Sequence, residues 1–412
     1  MSIAGATGQT RSTALMSFAL MANLAPMATF AAVLPQVAAA WGLSGSEAGW
    51  IGGIYFAGYA AAVPVLASLT DRVDGRWIFA GCTLAGAAAC LAFAGVAEGV
   101  WTALVLRFIG GAALGGVHMP GLKILAERTS GRGRARGGAI YISSYALGSA
   151  GSLFIAGAVE AALGWRGAFA VSGLVPLLAV ASVALLPPRS EIVPPAPVTF
   201  ELRPLFRNRK LIAYVVGFAG NIWEVSAVRA WFVAYLAWVL ALPGNHLAAP
   251  GPAVISGLAS LIGFPVSIAV AEAALRWGPR AIVATCLVSV AVLLGLAGSA
   301  GGSSLLILPL LVAAQVASLA DASALASGAV AAADPARRGT SLALYAFTGY
   351  LAAFAGPVAA GVALDLFGGA ATPAGWSAAF ATMALGSTVA AVAVRRAETG
   401  RRARADLSGT AA

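Results

Sequence analysis

Twelve stretches of mostly apolar residues follow one another along the chain with only short polar breaks between them. They run roughly 14–40, 46–69, 77–97, 101–126, 137–160, 167–186, 211–241, 252–275, 281–298, 304–330, 340–366 and 375–394. A helix needs about 20 such residues to cross a bilayer, so each stretch is long enough for a span. The expected fold is all-α: a polytopic membrane protein of 12 transmembrane helices. The composition agrees. The chain is 60% hydrophobic and 10% charged, against about 25% charged for a soluble domain, so lipid must cover most of its surface. Abundant Gly and Ala suit helices that pack closely in lipid. The first stretch is longer than the roughly 7–15 apolar residues of a signal-peptide core, so no cleavable signal is expected.

The formal charge is +10. A basic balance can mean nucleic acid, but the distribution excludes that here. All Lys and Arg other than Arg11, Arg107, Lys123 and Arg229 lie in the breaks, and the breaks alternate. Arg72 and Arg76 follow the second span, and Arg128, Arg132, Arg134 and Arg136 the fourth. Arg189, Arg203, Arg207, Arg209 and Lys210 follow the sixth, and Arg276 and Arg280 the eighth. Arg337 and Arg338 follow the tenth, and Arg395, Arg396, Arg401, Arg402 and Arg404 the twelfth. The opposite breaks hold only Arg166. Basic residues gather on the cytoplasmic side of membrane proteins. Both termini are therefore expected in the cytoplasm, in a multi-pass protein of the cell membrane, with a bacterial inner membrane as the setting. Cys82, Cys90 and Cys286 lie inside apolar runs without paired spacing and read as small core residues. Two histidines are too few for a His-built zinc site, and no cofactor or metal is expected.

The longest break, 187–210, carries Pro187, Pro188, Pro194, Pro195 and Pro197. It reads as a cytoplasmic linker between an N-terminal six-helix bundle, 1–186, and a C-terminal one, 211–394, with a tail at 395–412. The halves look like repeats. Arg136-Gly137 and Arg338-Gly339 are offset by 202 residues, and Arg72–Arg76 and Arg276–Arg280 by 204. Asn23 and Asn221 sit equally deep in the first and seventh spans. Duplicated bundles of this kind place a substrate site at the midplane between the halves.

Several motifs resemble the major facilitator superfamily, and the resemblance covers nearly the whole chain. Leu69-Thr70-Asp71-Arg72-Val73-Asp74-Gly75-Arg76 is similar to the family's gating loop, with Asp74 where Gly is usual. Arg107-Phe108-Ile109-Gly110-Gly111 resembles its Arg-then-Gly motif, and Gly164-Trp165-Arg166 is a further shared feature. The resemblance implies alternating access by two pseudo-symmetric six-helix bundles, usually as a monomer. It assigns gating to Asp71, Arg72, Arg76 and Arg338, with Asp71 held by the positive N-terminal end of the eleventh span. The alternative is a solvated loop carboxylate. The fifth span lacks the Gly-Pro element of drug–proton antiporters, and Pro187-Pro188-Arg189-Ser190-Glu191 is a poor match to the sugar-porter signature.

Charges at bilayer depth are costly and usually face a cavity or a partner. Glu224 lies halfway through the seventh span; a carboxylate deprived of water suits reversible proton binding, or it is salt-bridged for structure. Arg229, five residues on, binds an anionic substrate or ties to another helix. Arg107 carries a forked donor set suited to carboxylates and either faces the cavity or makes an interhelical pair. His118 and Asp321 sit at matched depth and form a titrating pair across the halves, or stand apart in water. Lys123 reads as a snorkelling residue, Glu272 as a partner of Arg276, and Glu160 and Asp365 as solvated. Asn23, Asn221, Gln315 and Tyr145 are candidate cavity residues.

No phosphate-binding loop or catalytic cluster is present, which argues against an ATP-driven pump or an enzyme. The reading is secondary active transport of a small organic solute, with an anion favoured by the arginines, as proton-coupled symport. The partners are the solute, protons or another coupling ion, and lipid. The alternatives are proton-driven efflux of amphipathic compounds and a non-transporting membrane receptor.

Overall fold

The computed structural model describes residues 3–186, 203–245 and 250–409, and the side chains of residues 3–7, of Ala67, Ala336 and Arg338 and of residues beyond Arg396 lie outside the described part. So does most of the expected linker, 187–202. The helices are α1 (Ile3–Asn23), α2 (Thr29–Trp41), α3 (Gly45–Leu69), α4 (Gly75–Val96), α5 (Val100–Glu127), α6 (Gly131–Leu174), α7 (Leu177–Ala184) and α8 (Arg203–Arg207). They continue as α9 (Arg209–Ala241), α10 (Pro252–Trp277), α11 (Pro279–Gly298), α12 (Ser304–Ala320), α13 (Ala322–Ala332), α14 (Arg338–Leu366) and α15 (Pro373–Gly409). No strand occurs among the described residues.

Among the described residues, ten helices are long and apolar enough to cross a membrane. One of them, Gly131–Ala184, has 54 residues. At 1.5 Å per residue it is far longer than a bilayer core of about 30 Å. The chain divides it at Gly164, whose φ of 68° lies in the left-handed region that glycine adopts without strain. Arg166 then turns back, donates to Ala94 O at 2.7 Å and lies over the Trp165 ring, closing the end of α4. With α1–α2 as a further crossing, the described residues make twelve.

The chain forms two compact units. One comprises Met1–Leu43, Trp50–Val198 and Ala249–Leu261; the other comprises Ser44–Gly49, Thr199–Ala248 and Ile262–Ala412. Two helices therefore divide their residues between units: the first turn of α3 groups with the second unit, and the start of α10 with the first. Within each unit, glycines let backbones touch. A Cβ on Gly111 would stand 1.7 Å from Tyr55 O, between α5 and α3, and one on Gly220 would stand 2.3 Å from Gly386 O, between α9 and α15. Trp101, Leu275 and Leu305 are almost fully exposed, which fits a protein whose solvent is hydrocarbon rather than water.

Besides the sixth, which pauses at Val175 and Pro176 between α6 and α7, two expected spans are not continuous helices. The first breaks at residues 24–28, where Pro26 has no N–H to continue the ladder. The tenth is interrupted at Asp321, between α12 and α13. Broken helices persist at membrane depth only where other groups satisfy the freed backbone, and the partners at both breaks are functional candidates.

Candidate functional site

In the first unit the α1–α2 break is held by two neighbouring helices. Ser152 of α6 accepts from Ala28 N at 3.0 Å and donates to Ala25 O at 2.5 Å, replacing the missing helical bonds. Arg107 of α5 donates Nη1 to Pro26 O and Nη2 to Met27 O, both at 3.3 Å. Its Nε reaches Ile51 O at 3.5 Å. The guanidinium lies over the Tyr55 ring, 4.4 Å from the centroid. Both carbonyls lie in the break between α1 and α2, where no helical N–H serves them. Arg107 is buried and has no ion pair among the described residues. Beside it runs a crevice lined by Pro26, Tyr55, Cys90 and Gly110, and an adjoining one reaches Asn23. Each holds no more than about one or two waters. Arg107 thus lines a narrow crevice and at the same time ties α5 to the broken helix through backbone carbonyls.

His118, also on α5, bonds through Nδ1 to Tyr59 OH at 3.0 Å, and its ring lies 4.9 Å from that of Tyr145. Tyr145 donates to Met27 Sδ at 3.4 Å, so it reaches the same break as Arg107. Asn23 is buried and spends its amide on Ala19 O at 2.8 Å, one turn back in its own helix.

In the second unit the polar centre is acidic. Asn221 and Glu224 lie three apart on α9 and share a face. Asn221 donates Nδ2 to Asp321 Oδ1 at 2.5 Å and to Ser318 O at 2.8 Å. Cys286 of α11 donates to Asp321 Oδ2 at 3.1 Å. Glu224 is fully buried, and neither carboxylate oxygen has a donor in hydrogen-bonding geometry. The Ser289 hydroxyl of α11 and the Asp321 carboxyl group face it. Neither acid has an ion pair among the described residues, so the salt-bridged alternative for Glu224 fails. Gln315, fully buried, lies on α12 one turn before Ser318, and Arg229 is half-buried further along α9. His118 and Asp321 each bond inside their own unit, His118 to Tyr59 and Asp321 to Asn221 and Cys286.

The gating loop also differs from expectation. Lys123 is not a snorkelling residue: its ammonium pairs with Asp71 and bonds Thr70 Oγ1 at 3.0 Å. Asp71 thereby has a partner in its own unit while keeping about a third of its side chain exposed. Asp74, the departure from the family pattern, caps α4 through Arg76 N at 3.0 Å and accepts from Arg76 Nε at 2.9 Å. Arg76 also donates to Leu186 O at 2.7 Å, and Arg72 is exposed. Glu160 is not simply solvated, since Gln36 donates to it, and Asp365 caps a helix. Glu272 and Arg276 are both exposed and make no ion pair among the described residues.

Ser152, Ser289 and Ser318 carry no sequence signal, and Cys286, read as a small core residue, is buried as expected but also donates to Asp321. Small hydroxyls, a thiol and a backbone carbonyl carry no signal in an apolar run until the fold brings a charge to them. The spacing of Ser318 and Asp321, one helical turn, is the sole hint available.

The Major Facilitator Superfamily model matches residues 16–357. Among solved structures, a mutant of the nucleoside transporter NupG aligns with a TM-score of 0.78 at 13% identity, over 94% of this chain and 99% of that one. A bacterial homolog of the human lysosomal transporter Spinster, inward-facing and occupied, aligns at 0.77 and 15% identity, over 96% and 97%. Tetrameric PepTSo2 aligns at 0.68 and 15%, over 96% and 99%. Likeness at these identities is a likeness of fold. No curated protein matches the sequence.

Proposed function

The chain belongs to the major facilitator superfamily, and on that premise we propose that it is a secondary active symporter that takes up a small organic anion by alternating access, with protons as the coupling ion. The transporter class follows from the family; substrate, direction and ion are our reading. One observation carries it: each unit buries an ionisable side chain that makes no ion pair among the described residues, Arg107 in the first and Glu224 with Asp321 in the second. Charges left this way at membrane depth belong to substrate or ion pathways. Arg107 and Arg229 attract the anion, and Asn23, Asn221, Gln315 and Tyr145 supply polar contacts to it. Glu224 carries the proton, with Asp321 and His118 as further proton-exchanging groups. Asp71, Arg72, Arg76 and Arg338 form the cytoplasmic gate.

We place both termini in the cytoplasm of a bacterial inner membrane, with six-helix bundles at 1–186 and 211–394 joined through 187–210, in a monomer. Uptake into proteoliposomes under an imposed proton gradient, with organic anions and lipophilic cations as parallel panels, tests the reading. Accumulation of an anion that is lost in Glu224→Gln is the expected result; intact pH-driven accumulation in that variant removes Glu224 from coupling. A second reading, efflux of amphipathic compounds, is favoured by the Tyr59, His118 and Tyr145 ring cluster, and lipophilic-cation extrusion would establish it.

A further inference from the structure

Arg107 is under-served by the bonds it makes. A guanidinium carries five N–H groups, and three of them are placed, on Pro26 O and Met27 O at 3.3 Å and on Ile51 O at 3.5 Å. Charge-assisted bonds from nitrogen run to about 2.7–2.9 Å, so all three are long. One N–H on each terminal nitrogen is left over. The side chain is 6% exposed and has no ion pair among the described residues. A charge buried this deeply is normally paired, and three neutral carbonyls leave its sign uncancelled.

The space beside it suits the missing partner. Arg107, Tyr55, Cys90 and Gly110 line one crevice; its other walls are small or apolar residues, and no carboxylate lines it. Tyr55 is 2% exposed. Its ring meets Arg107 and Phe56, and its hydroxyl makes no hydrogen bond among the described residues. Two buried donor groups, the spare N–H of Arg107 and the O–H of Tyr55, therefore border the same space. The adjoining crevice shares Pro26, Tyr55 and Gly110 and reaches Asn23, whose amide gives one N–H to Ala19 O and keeps the other. Room for about one or two waters excludes the body of an organic solute and admits a single-atom anion. Water alone would fill the space and leave the charge standing.

We propose that Arg107 and Tyr55 hold a chloride ion in this crevice, inside the first unit. The ion cancels the charge that the carbonyls of the α1–α2 break only solvate. The site does not rest on the transport reading above; an organic carboxylate drawn to Arg107 has to displace the ion. The test is chloride binding to the purified full-length protein in detergent, at one pH and constant ionic strength, with gluconate as the replacing anion. Radiolabelled chloride should be retained at close to one ion per chain. Over the same concentrations the unfolding temperature should rise saturably by a few degrees. Bromide should act similarly, and sulfate, too large for the crevice, should have no effect. Tyr55→Phe keeps the ring beneath the guanidinium and removes only the hydroxyl; it should weaken binding about tenfold. Arg107→Gln should abolish binding, and if that variant does not fold, Tyr55→Phe decides.

No retained chloride, or a stabilisation that sulfate reproduces at equal ionic strength, overturns the site. So does chloride binding unchanged in Tyr55→Phe. Stabilisation by acetate with none by chloride gives the crevice to a solute carboxylate and overturns it as well. Solute uptake by a protein that binds no chloride removes this site and leaves the transport reading intact. Chloride binding without flux of any solute keeps the site and removes the transport reading.

Discussion

Asp365, at the end of α14, accepts hydrogen bonds from the backbone of Gly45 at the start of α3, with Oδ1 at 2.7 Å from Gly45 N and Oδ2 at 2.7 Å from Ser46 N. The first N–H groups of a helix have no partner within it. Here Ser44 and Glu47 satisfy each other's backbone N–H through a capping box, and Asp365 takes the two between. A Cβ on Gly45 would stand 2.6 Å from Gly361 O and one on Gly49 2.5 Å from Pro357 O, so the small residues are what let the carboxylate reach. Asp365→Ala should cost about 1 kcal/mol, the usual worth of an N-cap, while Asp365→Asn keeps part of it. Faster thiol labelling of Ser46→Cys in the Asp365→Ala background checks this; an unchanged rate would mean the contact does not hold the turn.

Glycine contacts set a second expectation. Gly111→Ala puts a Cβ 1.7 Å from Tyr55 O, and neither backbone can yield without moving α3 from α5. The monodisperse fraction after purification should fall sharply. Gly295→Ala, on a helix with nothing within 4 Å of the new Cβ, should be neutral or slightly stabilising through helix propensity. Equal yields from the two would show that close approach at Gly111 is not needed.

The α1–α2 break gives a third. Ser152→Ala leaves Ala28 N without its acceptor, while Ala25 O keeps the Thr29 hydroxyl at 3.0 Å. One orphaned buried donor costs about 1–3 kcal/mol, to be read as a lower unfolding temperature. Arg107→Lys keeps the charge but cannot span Pro26, Met27 and Ile51 at once. It should lose more transport than stability if the break moves during the cycle, and the ratio of the two losses, measured in one preparation, decides.

The crossings were legible because length and apolarity are all a bilayer demands of a helix. The breaks were not. Pro35, Pro64, Pro120, Pro265, Pro309 and Pro357 all sit inside helices, so Pro26 was no different in the sequence. What separates it is that Ser152 and Arg107, 126 and 81 positions away, arrive to serve the freed backbone. Glu224 was found by being an acid in an apolar run. Its surroundings, Ser289 and an Asp321 held by Asn221 and Cys286, depend on how three helices pack, which local patterning does not encode.

The Asp71–Lys123 pair gives the last expectation, because it separates structure from gating. Both side chains are about a third exposed, at 34% and 33%, and a pair so placed is worth about 0–1 kcal/mol. Asp71→Asn and Lys123→Gln should therefore each leave the unfolding temperature nearly unchanged. Transport discriminates. If Asp71 serves only to hold Lys123, the two variants lose the same activity and the double variant loses no more. If Asp71 also takes a second partner when the gate closes, as the gating reading requires, Asp71→Asn should lose roughly tenfold or more in transport rate. Lys123→Gln, by freeing the carboxylate for that partner, should lose much less. A double-variant cycle on the initial rate measures the difference directly, and equal losses at the two positions would take the gating role away from Asp71.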